Sequence, residues 1–402
     1  MLQKFKKMDV PILMIIFMLM IISIVCLYSA THGNPKLEGH HMRMLVFYVL
    51  GFGAVFAITL VDYKLLVKYA LYIYFFGLLT LLAANFFGGN INNASGWIYL
   101  GPISIQPAEL FKLILVIFLA SVLIKRGKAK LEFWRDVVPI GLMTFVPFAF
   151  VMLQNDLGNA MAYVVILIGL LWIGNIKASH ALIGFVVIAV LVGGGIKLYT
   201  VYHDNIYDYL DKLGRTHWVE RLDPWLVPEK ATAKASWHTD NAKLAIGSGG
   251  ITGKGFMQGT SVQSGRVPYT YSDSIFVLIA EEFGFVGSSV VLLLYFILIH
   301  RMILIALESK ERSGPYIIVG VVAMYLYQVF ENIGAFIGIM PLTGITLPFI
   351  SYGGTSLLIN MASIGLIMSI KVHGQEVDDD ILAPGANGQN KKRMFGRKQA
   401  KA

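Results

Sequence analysis

The chain has 402 residues, 56% of them hydrophobic and only 14% charged, a balance that would leave a water-soluble fold with too much apolar surface. Its net charge of +9 sits in short cationic segments flanking apolar runs, which argues against a nucleic-acid-binding groove. A single cysteine, Cys26, excludes an intramolecular disulfide.

About 20 apolar residues are needed to cross the hydrocarbon core, where helices satisfy their own backbone groups. Ten stretches qualify and predict an all-α integral membrane protein, with helices over 10–30, 44–61, 66–87, 108–124, 137–153, 160–173, 182–198, 274–299, 316–340 and 347–370. The first contains Cys26, read as a small core hydrophobe, and lacks a small-residue cleavage site, so it reads as a retained helix rather than a signal peptide. Together they form one polytopic domain over 1–371.

Lys and Arg are in excess in short cytoplasmic loops. Lys4, Lys6 and Lys7 place the N-terminus inside. Counting alternately, the inside segments carry Lys64 and Lys68, then Lys125 to Arg135, Lys177, then Arg301, Lys310 and Arg312, and last the basic tail. The outside segments 88–107 and 341–346 contain no Lys or Arg, so both termini are expected in the cytoplasm. One long segment between helices seven and eight, 200–272, is expected to be an extracellular loop. Residues 372–402, with Asp378 to Asp380, Pro384 and terminal cations, read as a disordered basic tail that anionic membrane lipid would attract.

Ionisable groups near membrane depth are expensive, so each is a candidate functional residue. Glu109 and Lys112 are three apart on a helix and share a face, either as a structural ion pair or as the lining of a polar cavity. Gln154 to Gly158 places Asp156 at the mouth between two helices, where it either caps the second or faces the cavity. The run from Ala245 to Phe256 has the glycine content of a phosphate cradle without the Walker spacing, and Lys243, Lys254 and Arg266 could supply charge to a diphosphate. Asp273 stands at the external mouth of helix eight, a position for a general base on a sugar hydroxyl or for a helix cap. Glu281 and Glu282, two turns deeper, must face the bundle or find partners. Helix nine carries Glu331, Asn332 and Gly334. The Pro- and Gly-dense stretch 340–356, which includes Ser351, marks broken or re-entrant backbone, tolerated only where it is buried or lines a cavity.

Four blocks, 97–112, 154–158, 247–287 and 332–356, resemble in order and topology the SEDS proteins of shape, elongation, division and sporulation, and the resemblance covers about 10–371. Within that family the segments 241–250 and 253–260 are more similar to the elongation members than to the division or sporulation members. Ser95 and Gly96 depart from basic residues of the family pattern, Ala108 from a usual Ser, Asn155 from a Pro, and Tyr271 and Ser272 from His and Thr, while Glu331 replaces a neutral residue.

The resemblance implies a peptidoglycan glycosyltransferase that joins lipid II to a nascent glycan strand on the outer face and releases undecaprenyl diphosphate. It matches Asp273 to the catalytic carboxylate. Glu109, Lys112, Asp156 and Ser351 would then shape the cavity, with Arg43, Lys243 or Lys254 meeting the diphosphate. A divalent cation, magnesium or manganese, could bridge Asp273 and the diphosphate. It also implies a class B penicillin-binding protein as transpeptidase partner. Two other classes stay open: a flippase for the same lipid, and a non-catalytic scaffold of an elongation or division complex.

Overall fold

The computed structural model describes residues 6–374 except 92, 93, 101, 102, 128 and 215, so of the tail predicted over 372–402 residues 372 and 373 continue the last helix and 375–402 lie outside the described residues. Helix α1 (Val10–Thr31) opens where Asp9 accepts a hydrogen bond from the Ile12 amide. Then come α2 (His40–Leu60), a short α3 (Tyr63–Lys68) capped by Asp62, and α4 (Ala70–Phe87). The predicted third helix is thus broken at Tyr69, and the second begins one turn early.

The segment after α4 is not helical: β1 (Gly89–Ile91), β2 (Ala94–Leu100) and β3 (Ile103–Ile105) form an antiparallel sheet in that order, with Gly89 opposite Trp97 and Tyr99 opposite Ser104. The bundle continues through α5 (Pro107–Ile124), a π-helical turn over Phe133–Val137, α6 (Val138–Leu153), α7 (Leu157–Ile173) and α8 (Ala178–Val201). Residues 200–272, expected to be a loop, fold into α9 (His203–Lys212), α10 (Thr216–Leu226), α11 (Ala233–Ser248) and the single turn α12 (Thr260–Gln263). Three long helices follow, α13 (Ile275–Glu308), α14 (Ser313–Ile337) and α15 (Gly354–His373).

Among the described residues nine helices are long and apolar enough to cross a membrane, and the shorter apolar α7 accounts for the tenth predicted stretch. This is an all-α membrane protein with one small sheet at an end of the bundle. Its centre is α5, buried over 15 of 18 residues and packed against α4, α7, α14 and α15. In contrast, only Tyr199 of α8 is buried, as expected of a helix whose faces meet lipid. Small residues let backbones close in: a Cβ on Gly365 of α15 would stand 3.1 Å from the Val55 backbone of α2.

Ion pairs gather at the end of the bundle predicted to be cytoplasmic. Arg301 meets Asp9 at 2.6 Å, Lys64 meets Glu311 at 2.8 Å and Arg126 meets Asp136 at 2.9 Å. At the opposite end the backbone breaks at 347–353, so α15 starts at Gly354 rather than at 347. The break is buried, and hydroxyls satisfy its carbonyls: Tyr295 donates to Pro348, Tyr48 to Phe349, and Ser23 to Ile350 at 2.7 Å. Backbone polar groups without such partners would be costly in lipid.

Candidate active site

The residues before α13 fold back on themselves. Amides of Ser272 and Ser274 both donate to the Tyr269 carbonyl, and the Ser274 hydroxyl donates to Pro268 at 2.8 Å. His238, from α11, holds the same hydroxyl at 2.9 Å through Nε2. Its burial pushes the imidazole down to about 4, so it is neutral at physiological pH.

Asp273 projects from this turn, partly buried. Ser272 Oγ donates to its Oδ1 at 3.0 Å, and its backbone carbonyl accepts from Asn332 Nδ2 at 2.7 Å. Ser274, not Asp273, occupies the cap position of α13, and no side chain caps that helix end. Burial pushes the Asp273 carboxyl up to about 6, against the opposing pull of Ser272, nearby backbone amides and the Arg221 guanidinium. Such a group ionises close to neutrality, as a general base should.

Deeper in the bundle, Lys112 Nζ lies 2.9 Å from Glu109 Oε1, with the Lys112 side chain fully buried. Asp156 caps α7: its Oδ1 accepts from the Asn159 amide at 3.0 Å, and its Oδ2 from Asn159 Nδ2 at 2.8 Å and from Gln106 Nε2 at 2.7 Å. Burial raises its carboxyl while Asn159 opposes the rise. Both readings of Asp156 therefore meet in one side chain, a cap that also joins the polar cluster. Glu109 Oε2 and Asn159 Oδ1 of this cluster are buried without a hydrogen-bond partner among the described residues. Orphaned polar atoms in such a group call for water or a polar ligand.

The remaining candidates separate. Lys254 Nζ is held by Glu281 Oε1 at 2.6 Å and Thr260 Oγ1 at 2.7 Å, and the amides of Lys254 and Gly255 donate to the carbonyls of Glu281 and Glu282. Residues 245–248 belong to helix α11, and the glycines beyond it lie against α13. A Cβ on Gly253 would stand 2.1 Å from the Glu282 carbonyl oxygen, and Gly284 breaks α13 there at φ 65°. The glycine content therefore serves a close crossing of two backbones. Arg43 is exposed in the first turn of α2. Ser351 Oγ accepts from the Leu347 amide at 2.8 Å and so closes the buried break. Lys243 lies against Gly338 and shares a crevice with Arg221, Trp225 and Met340.

Arg221 was not readable from the sequence, because only the packing of α10 and α11 brings it to this crevice and near Asp273. Asn332 carried a signal, a polar side chain in an apolar helix, but not its partners. Among the described residues no group of three or more His, Cys, Asp or Glu side chains is placed to hold a metal. A divalent cation at Asp273 would take most of its ligands from diphosphate and water, a donor set that suits magnesium or manganese.

The model of the cell cycle protein family of FtsW, RodA and SpoVE matches residues 7–376. The chain belongs to this family. It is 31% identical over 371 residues to stage V sporulation protein E of Bacillus subtilis, covering 90% of this chain and 96% of that one. Peptidoglycan glycosyltransferase MrdB of Escherichia coli is 30% identical over 373 residues, covering 91% and 94%. These two relatives are so nearly equal in identity that identity alone assigns no branch. Among solved structures, a chain from a peptidoglycan synthase complex described as coordinating polymerization and crosslinking superposes with a TM-score of 0.76 at 27% identity, covering 92% of this chain and 99% of that one. The rod shape determining protein RodA of Thermus thermophilus gives 0.66 at 27% identity, covering 92% and 98%.

Proposed function

We propose that this chain is a peptidoglycan glycosyltransferase that polymerises lipid II into glycan strands for cell elongation and shape, with Asp273 as its general base. The observation that carries the assignment is the Asp273 carboxyl at the mouth of α13, in a folded-back turn whose backbone Asn332 holds, with the Arg221 guanidinium near it. Names of its relatives support the reaction class, and the likeness to RodA supports the elongation role.

Lipid II is an activated donor, so the reaction needs no nucleotide. The acceptor GlcNAc 4-hydroxyl gives its proton to Asp273 as its oxygen bonds to the donor anomeric carbon. The bond from that carbon to the diphosphate breaks, and the electron pair leaves on undecaprenyl diphosphate. Arg221 and Lys243 stabilise the charge that develops there. A bound magnesium or manganese ion would add positive charge at the same oxygens.

The excess of Lys and Arg in the short loops supports an Asp273 end that faces outward and termini that face inward. A class B penicillin-binding protein would crosslink the new strand, a pairing supported by the likeness to a chain of a peptidoglycan synthase complex. The test is polymerisation of purified lipid II by the solubilised protein with its partner, transpeptidase blocked, comparing wild type with Asp273→Ala. Glycan ladders from wild type alone are expected. Ladders from both would remove Asp273 from the mechanism, and ladders from neither would favour transport or scaffolding.

A further inference from the structure

Glu331 is 1% exposed in the last two turns of α14, a helix that crosses the membrane, and the chemistry above does not use it. An intramembrane carboxyl is costly and wants a partner. The Glu331 partner is the Thr343 hydroxyl, which donates to Oε1. Its neighbour Asn332 divides one amide nitrogen between two carbonyls, Ile345 and Asp273, at 2.7 Å each. Two adjacent side chains of α14 therefore tie both ends of the turn 343–345 and, in the same clasp, the backbone of Asp273.

What the turn encloses gives the clasp its meaning. Gly344 lies between the two tied residues at φ 81°, and a Cβ built on it would stand 3.8 Å from Asp273 Oδ2. That oxygen is the one Ser272 leaves free. From the other side the turn rests on the start of α7, where a Cβ on Gly158 would come within 2.5 Å of Ile345 Cγ1 and 2.9 Å of Thr343 Oγ1. Turn 343–345 is thus wedged between the helix that Asp156 caps and Oδ2 of Asp273.

We propose that Glu331, acting through Thr343 and together with Asn332, is a positioning residue that latches turn 343–345 as the wall beside the Asp273 carboxylate. It touches neither substrate nor the reacting atoms. The inference rests on Asp273 being the base. A displacement of about 1 Å at a reacting group can cost up to about a hundredfold in rate, so release of the latch should act on turnover rather than on binding.

The experiment uses the full chain with its partner in lipid nanodiscs and compares Glu331→Ala, Thr343→Val, their double variant, Glu331→Gln and Asp273→Ala. Lipid II polymerisation and hydrogen–deuterium exchange over 341–349 are both read. Glu331→Ala and Thr343→Val should each lower kcat by about tenfold with KM changed less than about twofold. The double variant should be no slower than the worse single, because both remove one interaction. Glu331→Gln, which keeps an acceptor for Thr343, should stay within about threefold of wild type. Exchange over 341–349 should rise in Glu331→Ala and Thr343→Val. Unchanged exchange in Thr343→Val, effects that multiply in the double variant, or a wild-type kcat in either single would overturn the latch. Should Glu331→Ala fail to fold, Thr343→Val alone decides by the same readings. Wild-type polymerisation by Asp273→Ala would sink the base assignment only, since the exchange readings judge the latch separately.

Discussion

Lys254 Nζ stands 2.6 Å from Glu281 Oε1, so the lysine of the glycine-rich segment is bound to a carboxylate buried in α13. The same carboxylate accepts from the amides of Ser261 and Val262 at 2.9 Å each. Removing it orphans a cation and two amides at once. Glu281→Ala should therefore destabilise the protein by about 3–5 kcal/mol, seen as a lower midpoint of thermal unfolding in detergent. Lys254→Ala should lower the midpoint and leave KM for lipid II unchanged in the protein that remains folded. A raised KM with an unchanged midpoint would return Lys254 to the diphosphate.

Asp273 links function to stability with a definite sign. Its carboxyl rises from an ordinary 3.8 to about 6, so between those values the native state holds more protons than the unfolded chain. Stability from this group is therefore lost as pH rises through that window, a cost of about 3 kcal/mol at neutral pH. Asp273→Asn should abolish polymerisation and raise the unfolding midpoint at pH 7.5, with the gain shrinking towards pH 4. In the wild type, kcat should fall as pH drops below about 6, because the base is then protonated. A variant no more stable than wild type at pH 7.5 would mean that the carboxylate is not strained by burial.

Every spanning helix was legible because a bilayer demands a long apolar run for each crossing. Where such a run breaks is not written in hydropathy. Tyr69, Gly284 and residues 347–353 all lie inside or beside apolar stretches, and the breaks depend on contacts made elsewhere in the chain. Glu281 was readable as a carboxylate that must be paired, but not its partner 27 residues earlier. Residues 200–272 read as a loop because α9 and α10 are polar enough to look like one. Only their packing brings Arg221 into a crevice with Lys243, while Lys254 is paired with Glu281.

The buried break at 347–353 should be as demanding as its hydroxyl donors suggest. Tyr48 donates to the Phe349 carbonyl from a fully buried position on α2. Tyr48→Phe keeps the ring and removes the donor, leaving an unsatisfied carbonyl in an apolar interior at a cost of about 1–3 kcal/mol. The unfolding midpoint should fall accordingly, and Ser23→Ala, which frees the Ile350 carbonyl, should act in the same direction. No change in either variant would mean that water satisfies these carbonyls.

Arg221 and Lys243 come from successive helices, α10 and α11, and meet in one crevice beside Gly338. Neither has a carboxylate partner among the described ion pairs, unlike Lys254. Two cations left without such a partner beside a base are suited to a dianionic leaving group. Arg221→Ala and Lys243→Ala should each lower kcat/KM for lipid II by about tenfold to a hundredfold, with the unfolding midpoint close to wild type. Arg221→Lys should recover only part of the loss, because an ammonium cannot offer the paired donors of a guanidinium. The loss should shrink as salt is added, since salt screens in the wild type the same attraction that the variant lacks. Wild-type kinetics in both single variants would move the diphosphate away from this crevice and back towards the buried Lys112, where it would have to displace Glu109 from its 2.9 Å contact.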